Sequence, residues 1–204
     1  VSGGAMHSKT IKYYNENAGE FVFNTVGANM EYHQKRFCER LPKGALILDF
    51  GCGSGRDTKH FMSQGYQVDA MDGSEELCRM ASDFTGIEVK HGYFHELDEE
   101  DKYDGIWACS SILHLPIDEL KEVFSKMAKA LRDQGVVYAS FKYGEFEGER
   151  NGRYFTDLNE ERLHRLIEDT GVFIVEETWI TFDVRLGRDE EKWMNMILKK
   201  KELY

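Results

Sequence analysis

Asp49-Phe-Gly51-Cys-Gly53-Ser-Gly55-Arg-Asp57 decides the fold, because it follows an apolar run and precedes a helical pattern. The run before it, Ala45-Leu-Ile-Leu-Asp-Phe50, is typical of a parallel strand that is buried on both faces. Glycines in such a turn supply positive φ angles and let the backbone approach a ligand closely. The stretch therefore predicts a strand, a glycine turn and a helix at a cofactor site, and the competing interpretation is a plain tight turn.

Short apolar runs and helical patterns alternate outward from this turn. The predicted strands are residues 45–50, 66–72, 87–90, 104–110 and 136–142. Such alternation is typical of a mostly parallel sheet with helices on both faces. Two further runs, 173–182 and 192–198, have no helical pattern between them and predict an antiparallel hairpin at the edge of the sheet. The expected fold class is α/β with seven strands.

Helix boundaries follow from proline, glycine and capping residues. Pro116 predicts the first turn of a helix that runs to Leu131. Thr156 or Asp157 is expected to cap a helix that ends near Thr170. We expect a single domain overall, with residues 1–42 as an N-terminal helical cap or lid and residues 43–204 as the core.

Composition narrows the class of function. The chain has 204 residues, with 26 basic and 37 acidic side chains and a net charge of -11, which disfavours nucleic acid as a partner. The sequence has no apolar run near the roughly 18 residues of a membrane span. Four cysteines without a C-x-x-C motif predict reduced thiols, no zinc site and a cytoplasmic location. Both a monomer and a homodimer remain open.

The spacing around the glycine turn distinguishes between two kinds of cofactor. Asp72 ends the second predicted strand, where a carboxylate can accept both hydroxyls of a ribose. A dinucleotide site uses G-x-G-x-x-G, whereas this chain has G-x-G-x-G followed by Arg56, which leaves no clear position for a pyrophosphate. Asp49 beside the turn suits a cationic cofactor instead. The charges of S-adenosylmethionine fit this arrangement.

Three motifs resemble those of the class I S-adenosylmethionine-dependent methyltransferases. They are Leu48-Asp-Phe-Gly-Cys-Gly-Ser-Gly55, Met71-Asp-Gly-Ser74 and Tyr103-Asp-Gly-Ile-Trp-Ala-Cys-Ser-Ser-Ile-Leu-His-Leu-Pro116. Within that class, residues 139–155 resemble small bacterial methyltransferases related to tellurite resistance. The resemblance implies a Rossmann-like three-layer sandwich with strand order 3-2-1-4-5-7-6 and an antiparallel strand 7. It also implies S-adenosylmethionine as cofactor, S-adenosylhomocysteine as product, and no metal.

The resemblance implies the cofactor site residue by residue. Gly51, Gly53 and Gly55 would pack under the methionine part of the cofactor, Asp72 would hold the ribose, and Gly73 and Ser74 would flank the adenine. An aspartate that many members carry after the third strand is absent here, and Tyr93 and Phe94 are expected to replace it. The remaining predicted cofactor residues are Tyr14, Asp49, Cys52, Arg56 and Ser110.

Candidate residues for chemistry lie beyond the fourth strand. Ser110, Ser111 and His114 should face the crevice at the carboxyl ends of the strands. His114 is the candidate general base or substrate orienter, because imidazole titrates near neutral pH, and the alternative is a histidine that caps the turn or contacts the cofactor. The polar and aromatic loop at residues 142–155 is expected to form a lid or substrate wall, with surface decoration as the alternative.

Basic residues near that loop bear on the substrate. Arg153 is the candidate substrate-binding residue. If its basic neighbours also converge on the site, the predicted methyl acceptor is a small anionic molecule or a chalcogen oxyanion. Those neighbours are Lys142, Arg150, Arg185 and Arg188, and the alternative is that all of them pair with nearby acids. The sequence favours a small-molecule methyltransferase over an RNA or protein methyltransferase and over a non-catalytic S-adenosylmethionine-binding protein.

Overall fold

The centre of the molecule is a seven-stranded sheet, in a computed structural model that describes residues 3–183, 187–188 and 190–202. The strands are β1 (Leu46–Phe50), β2 (Gln67–Asp72), β3 (Lys90–His91), β4 (Tyr103–Ala108), β5 (Leu131–Lys142), β6 (Glu147–Arg150), β7 (Arg153–Thr156), β8 (Phe173–Phe182) and β9 (Lys192–Lys200). Strands β6 and β7 form a separate antiparallel hairpin. This hairpin lies inside the segment that the sequence predicts as an irregular loop.

The order of the sheet is β3-β2-β1-β4-β5-β9-β8. Strands β1 to β5 pair in parallel, and β9 runs antiparallel to both of its neighbours. Since β8 and β9 are the sixth and seventh strands of this sheet along the chain, the predicted order 3-2-1-4-5-7-6 and the terminal edge hairpin are confirmed. The order reverses between β1 and β4, which opens a crevice at their carboxyl ends.

Seven α-helices are described around this sheet. They are α1 (Gly3–Glu16), α2 (Ala18–Thr25), α3 (Glu31–Cys38), α4 (Arg56–Ser63), α5 (Glu75–Thr85), α6 (Ile117–Ala130) and α7 (Glu160–Thr170). Helix α6 begins directly after Pro116, as predicted. Three helices precede β1, and the division into a cap of residues 1–42 and a core stays a prediction. No described helix combines the length and apolar character needed to cross a bilayer.

The predicted cap of α7 is wrong. Asn159 is the N-cap, and its side chain accepts a hydrogen bond from the Arg162 amide at 2.9 Å. Thr156 is instead the last residue of β7 and donates its hydroxyl to the Leu115 carbonyl. Asp157 is buried and pairs with Arg150 at 2.6 Å. The hairpin thus uses both residues for tertiary contacts, which a local capping pattern does not reveal.

Two apolar clusters bury the two faces of the sheet. The larger cluster packs α6 and α7 against one face, and Phe124 and Phe141 in it are fully buried. On the other face, Trp107 of β4 stacks on Tyr138 of β5 with ring centroids 4.0 Å apart. Phe37 of α3 and Phe61 of α4 complete that cluster. Aromatic side chains therefore contribute to the packing on both faces of the sheet.

Replacing the observed cap should weaken α7. We expect Asn159→Ala to lower the free energy of unfolding by about 1 kcal/mol, because the Arg162 amide loses its acceptor. Urea denaturation measures this difference. Asn159→Ser keeps a capping oxygen and should stay within about 0.5 kcal/mol of the unchanged protein. An equal loss in both variants would contradict the assignment of the cap.

Candidate active site

The glycine turn after β1 bends through left-handed backbone. Gly51 and Gly55 have φ angles of 83° and 80°, and Gly55 is the N-cap of α4. The amides of Gly51 and Cys52 both donate to the Met71 carbonyl, at 2.9 and 3.0 Å. A side chain at Gly51 would place its Cβ 2.4 Å from the Ser111 Cβ. The wall of the turn is therefore bare backbone, as the sequence predicts.

Asp72 fixes this turn to the end of β2. One carboxylate oxygen accepts the Gly53 amide and the other accepts the Ser74 amide, each at 2.9 Å. Burial raises the pKa of Asp72, and the backbone amides oppose that rise. The Ser74 hydroxyl accepts the Leu77 amide as the N-cap of α5 and contacts Asn15 of α1 at 2.6 Å. Ser74 is thus a buried structural contact between α5 and α1.

One continuous cavity brings most of the predicted site residues together. It lies against the turns after β1, β2 and β4, and α1 contributes part of its wall. Its predicted lining residues are Tyr14, Gly51, Cys52, Gly53, Arg56, Asp72, Gly73, Tyr93, Phe94, Ser110, His114 and Arg153. Asp49, Gly55 and Ser74 lie behind this wall. Asp49 is 1% exposed, and Thr58 donates its hydroxyl to it at 2.6 Å.

A buried acidic pair stands beneath the glycine turn. Burial, followed by the charge of Asp57, raises the pKa of Asp49 to about 8. Burial alone would also raise the pKa of Asp57, but Arg56 and hydrogen bonds from Trp107 and Gln34 outweigh it and lower that pKa. Asp57 is therefore the ionised partner of Arg56, with 2.9 Å between the paired atoms. Asp49 remains a carboxyl group that a nearby cation would help to ionise.

His114 and Tyr14 form a hydrogen-bonded pair in the cavity wall. The His114 Nδ1–H donates to the Tyr154 carbonyl at 2.7 Å, so Nε2 carries the lone pair. The Tyr14 hydroxyl donates to that Nε2 at 2.8 Å, and Arg153 donates to the hydroxyl oxygen at 3.3 Å. Burial lowers the pKa of His114 to about 3 and raises that of Tyr14. The imidazole is therefore neutral at physiological pH and orients Tyr14.

Arg153 differs from the other basic residues near the site. Arg150 pairs with Asp157, and Lys142 pairs with Glu191 at 3.0 Å. Within the described residues, Arg153 has no carboxylate partner, and its guanidinium lies over the Tyr13 ring at 4.5 Å. Its Nε is buried without a hydrogen-bond acceptor. Arg188 also lines the cavity and lies 3.9 Å from a carboxylate of Glu191, and Arg185 lies outside the described residues.

The hairpin of β6 and β7 contacts α1 next to the pair of Tyr14 and His114. The Tyr154 amide of β7 donates to the Thr10 hydroxyl of α1 at 3.2 Å, and Lys9 pairs with Glu149 of β6. Thr10, Ile11 and Tyr14 line the cavity together with Arg153. The segment predicted as a lid or wall thus forms part of the cavity wall as an ordered hairpin. That it closes in response to cofactor stays a prediction.

Sequence reasoning missed the part of the cavity that faces α3, β8 and β9. Residues His33, Tyr138, Thr181, Trp193 and Asn195 line it. Asn195 is a polar residue in the middle of the apolar strand β9. Its position is the one feature of the sequence that could have indicated a site on this side of the sheet. His33 stands in a short helix whose pattern reads as ordinary packing on the sheet. Its orientation toward a cavity depends on how α3 crosses β5, which the sequence does not specify.

Comparison with known proteins identifies the central region. Residues 47–135 match a family described as a methyltransferase domain. An uncharacterised methyltransferase of Alkaliphilus oremlandii is 27% identical over 62% of this chain and 59% of its own length. An N-terminal Xaa-Pro-Lys N-methyltransferase 1 of Danio rerio is 32% identical over 64% of this chain and 62% of its own length. The chain thus spans about three fifths of each of these two relatives.

The fold as a whole matches a solved structure. The chain is similar to a 1,6-didemethyltoxoflavin-N1-methyltransferase of Burkholderia thailandensis, whose structure contains 1,6-didemethyltoxoflavin and S-adenosylhomocysteine. The two share a TM-score of 0.81 and 21% identity, over 99% of this chain and 92% of the other. This likeness extends beyond the matched region to α1 and to the hairpin of β8 and β9.

The neutral state of His114 should appear in the pH dependence of stability. The unfolded histidine takes up a proton with a pKa near 6.5, whereas the folded one stays neutral until about 3, so stability is lost as pH falls below the unfolded value. Between about pH 5.5 and 4, we expect the unchanged protein to lose about 1.4 kcal/mol per pH unit more than His114→Asn. Urea denaturation at several pH values tests this. Identical slopes would show that His114 is protonated in the folded protein.

Proposed function

We propose that this chain, whose residues 47–135 are a methyltransferase domain with S-adenosylmethionine as cofactor, transfers a methyl group to a small molecule that carries an anionic group. The observation that carries the proposal is Arg153, a guanidinium at the cavity with no carboxylate partner among the described residues. A guanidinium matches carboxylates and oxyanions in both charge and geometry. Arg153 also donates a hydrogen bond to Tyr14, so an anion bound by Arg153 would lie next to the pair of Tyr14 and His114.

The residues at the glycine turn suit S-adenosylmethionine. Backbone amides use two of the roughly four acceptor positions on the Asp72 carboxylate, and the others remain for the hydroxyls of a ribose. The bare backbone at Gly51 lets the methionine part pack closely. Asp72 lines the cavity at this edge of the sheet, and a bound cation would favour the ionised form of Asp49 behind it. When bound, the cofactor supplies an electrophilic methyl group on a sulfonium.

The chain's own residues would hold the acceptor and its proton. The Tyr14 oxygen gives its hydrogen to His114 and accepts one from Arg153, which leaves one lone pair for the O–H or N–H of an acceptor. Methylation forms a bond between the acceptor atom and carbon and breaks the bond between sulfur and carbon. A neutral acceptor atom also releases a proton to water, while the free lone pair of Tyr14 orients the O–H or N–H that carries it. Positioning and exclusion of water supply the rest of the catalysis.

Methylation of a protein N-terminus is the second candidate. It is supported by the relative from Danio rerio, whose name states that activity. An N-terminal substrate presents an amine that is cationic before it reacts, and it would favour acidic residues near the acceptor. Arg153 and Arg188 at the cavity point instead to a small acidic molecule. The net charge of -11 disfavours RNA.

Finer parts of the sequence interpretation stay predictions. The tellurite-resistance resemblance identifies oxyanions of tellurium and selenium as acceptors worth testing. The cysteines Cys38, Cys52, Cys78 and Cys109 are free thiols, which supports the predicted cytoplasmic location. Whether the protein acts as a monomer or a homodimer is a question for sedimentation.

The experiment that tests the proposed function is a screen for methyl transfer. Purified protein receives labelled S-adenosylmethionine together with a small-molecule metabolite fraction, tellurite, selenite, tRNA or peptides with free N-termini. We expect label in an anionic small molecule. Label only in peptide or tRNA would replace the proposed acceptor class, and binding of the cofactor without turnover on any of them would identify a non-catalytic binding protein.

Removing the Asp72 carboxylate should weaken cofactor binding. We expect Asp72→Ala to raise the Kd for S-adenosylmethionine about 10- to 150-fold, which corresponds to the loss of a charged hydrogen-bond acceptor. Titration calorimetry measures this change. Asp69→Ala, on the same strand but bound to Tyr103 and Lys102, is the matched control and should leave the Kd unchanged. Unchanged binding by Asp72→Ala would contradict the assigned ribose contact.

Arg153 and Arg150 provide a matched pair, because they face each other in the hairpin. Arg153→Ala should lower kcat/KM for the acceptor roughly 10- to 100-fold while cofactor affinity stays the same. Arg150→Ala breaks an ion pair with buried Asp157 and should lower the melting temperature with little kinetic effect. Steady-state kinetics and thermal unfolding of both variants test this. If Arg153→Ala loses stability but keeps its kinetic constants, Arg153 has a structural role and does not bind the substrate.

A further inference from the structure

One imidazole in the cavity wall has a hydrogen-bond donor for which the described residues provide no acceptor. His33 of α3 is 7% exposed and lines the cavity. Its Nδ1 lies 3.1 Å from the indole Nε1 of Trp179 in β8. An indole nitrogen only donates, so the Nδ1 of His33 must carry the lone pair. The hydrogen of a neutral His33 is therefore on Nε2.

The neutral form follows from the surroundings of the ring. Burial is the main cause that lowers the pKa of His33 to about 4, and the charges of Arg56 and Arg36 act in the same direction against that of Asp57. Among the described residues, none accepts a hydrogen bond from Nε2, and His33 lines the cavity. The Nε2–H is therefore available to an atom of a molecule bound in the cavity.

Neighbouring polar groups are already used by one another. The Tyr138 hydroxyl donates to the Asn195 side-chain oxygen at 2.6 Å. The Asn195 amide nitrogen donates to the Thr181 hydroxyl at 2.9 Å and to the Trp179 carbonyl at 3.3 Å. These contacts hold the wall in place and leave the His33 Nε2–H free to bind a lone pair.

The indole that sets the tautomer is itself held in position. Arg36, one helical turn after His33, lies over the Trp179 ring at 4.7 Å and pairs with Glu177. The Tyr32 ring lies 5.0 Å from the same guanidinium and meets the Trp179 ring edge-on. The rings of His33 and Trp179 are nearly parallel, with 16° between their planes. Such support is typical of a binding group that must keep one orientation.

We propose that the His33 Nε2–H binds a carbonyl oxygen or an unprotonated aromatic ring nitrogen on the methyl acceptor and so selects acceptors that carry such an atom. The inference rests on the proposed function, since it concerns the acceptor of that reaction. The roles of Arg153 and His33 together describe the methyl acceptor. It is a small anionic molecule that also carries an uncharged oxygen or nitrogen able to accept a hydrogen bond. His33 is in this sense a specificity-determining residue with no role in bond making.

The tautomer can be measured without any substrate. In protein labelled with 15N-histidine, we expect His33 at pH 7 to show a protonated Nε2 and an unprotonated Nδ1. Trp179→Phe removes the donor to Nδ1 and should yield a mixture of the two neutral tautomers. A protonated Nδ1 or a cationic ring in the unchanged protein would overturn the proposal.

Binding is tested with probes that differ in one atom. Benzoate lacks a ring nitrogen, whereas picolinate, nicotinate and isonicotinate place one at each ring position, and all four are titrated into protein saturated with S-adenosylhomocysteine. At least one pyridine carboxylate should bind about tenfold more tightly than benzoate. His33→Asn keeps an acceptor for Trp179 but loses the distal donor, so this advantage should fall below about twofold. His33→Gln places an amide N–H near the position of Nε2 and should retain most of it.

The outcomes separate this inference from the proposed function. No advantage for any of the three pyridine carboxylates, or an advantage that survives His33→Asn, overturns the role of His33 even when the cofactor product binds. Failure of S-adenosylhomocysteine to bind the unchanged protein overturns the proposed function itself. If His33→Asn does not fold, the tautomer measurement and the comparison of the unchanged protein with His33→Gln still decide the question.

Discussion

The carboxylate of Asp72 fixes the position of two loops and, through them, of a helix. It accepts the amide of Gly53 from the turn after β1 and that of Ser74 from the turn after β2. Ser74 then caps α5 and contacts Asn15 of α1. Tyr14, the neighbour of Asn15, is thereby placed within reach of His114. The proposed acceptor side of the cavity therefore depends on the same carboxylate as the proposed cofactor side.

Two neutral histidines face the cavity in opposite tautomers. His114 donates from Nδ1 to a backbone carbonyl and offers the Nε2 lone pair to Tyr14. His33 accepts at Nδ1 from Trp179 and keeps its hydrogen on Nε2. Burial lowers the pKa of both rings, to about 3 and about 4. The same side chain thus serves as an acceptor in one wall and as a donor in another, and in each case a fixed neighbour determines which.

The sheet could be predicted from the sequence because its signals are local and strong. Continuous apolar runs mark β1 and β5, the absence of a helix before β9 marks the edge hairpin, and Pro116 marks α6. The glycine turn and Asp72 lie where the motifs place them. These features depend on residues close together in the chain, and the periodicity of each element specifies it without tertiary information.

The acceptor side could be predicted only in part. The strands β6 and β7 are four residues each and largely polar, so they resemble a loop until they pair. Arg153 was identifiable as a candidate, but its lack of a carboxylate partner among the described residues depends on Asp157 binding Arg150 instead. His33 carries no sequence signal at all, because its role arises from a tryptophan 146 residues away. Such pairings belong to the folded chain and have no local pattern.

Most of the proposed acceptor contacts are encoded outside the region that supplies the glycine turn and Asp72, and His114 is the exception. The glycine turn and Asp72 lie inside residues 47–135, whereas Tyr14, His33 and Arg153 lie on either side of that region. Under the proposed function, substitutions at His33 or Arg153 change the choice of acceptor, while the glycine turn and Asp72 keep the contacts that their own part of the chain provides.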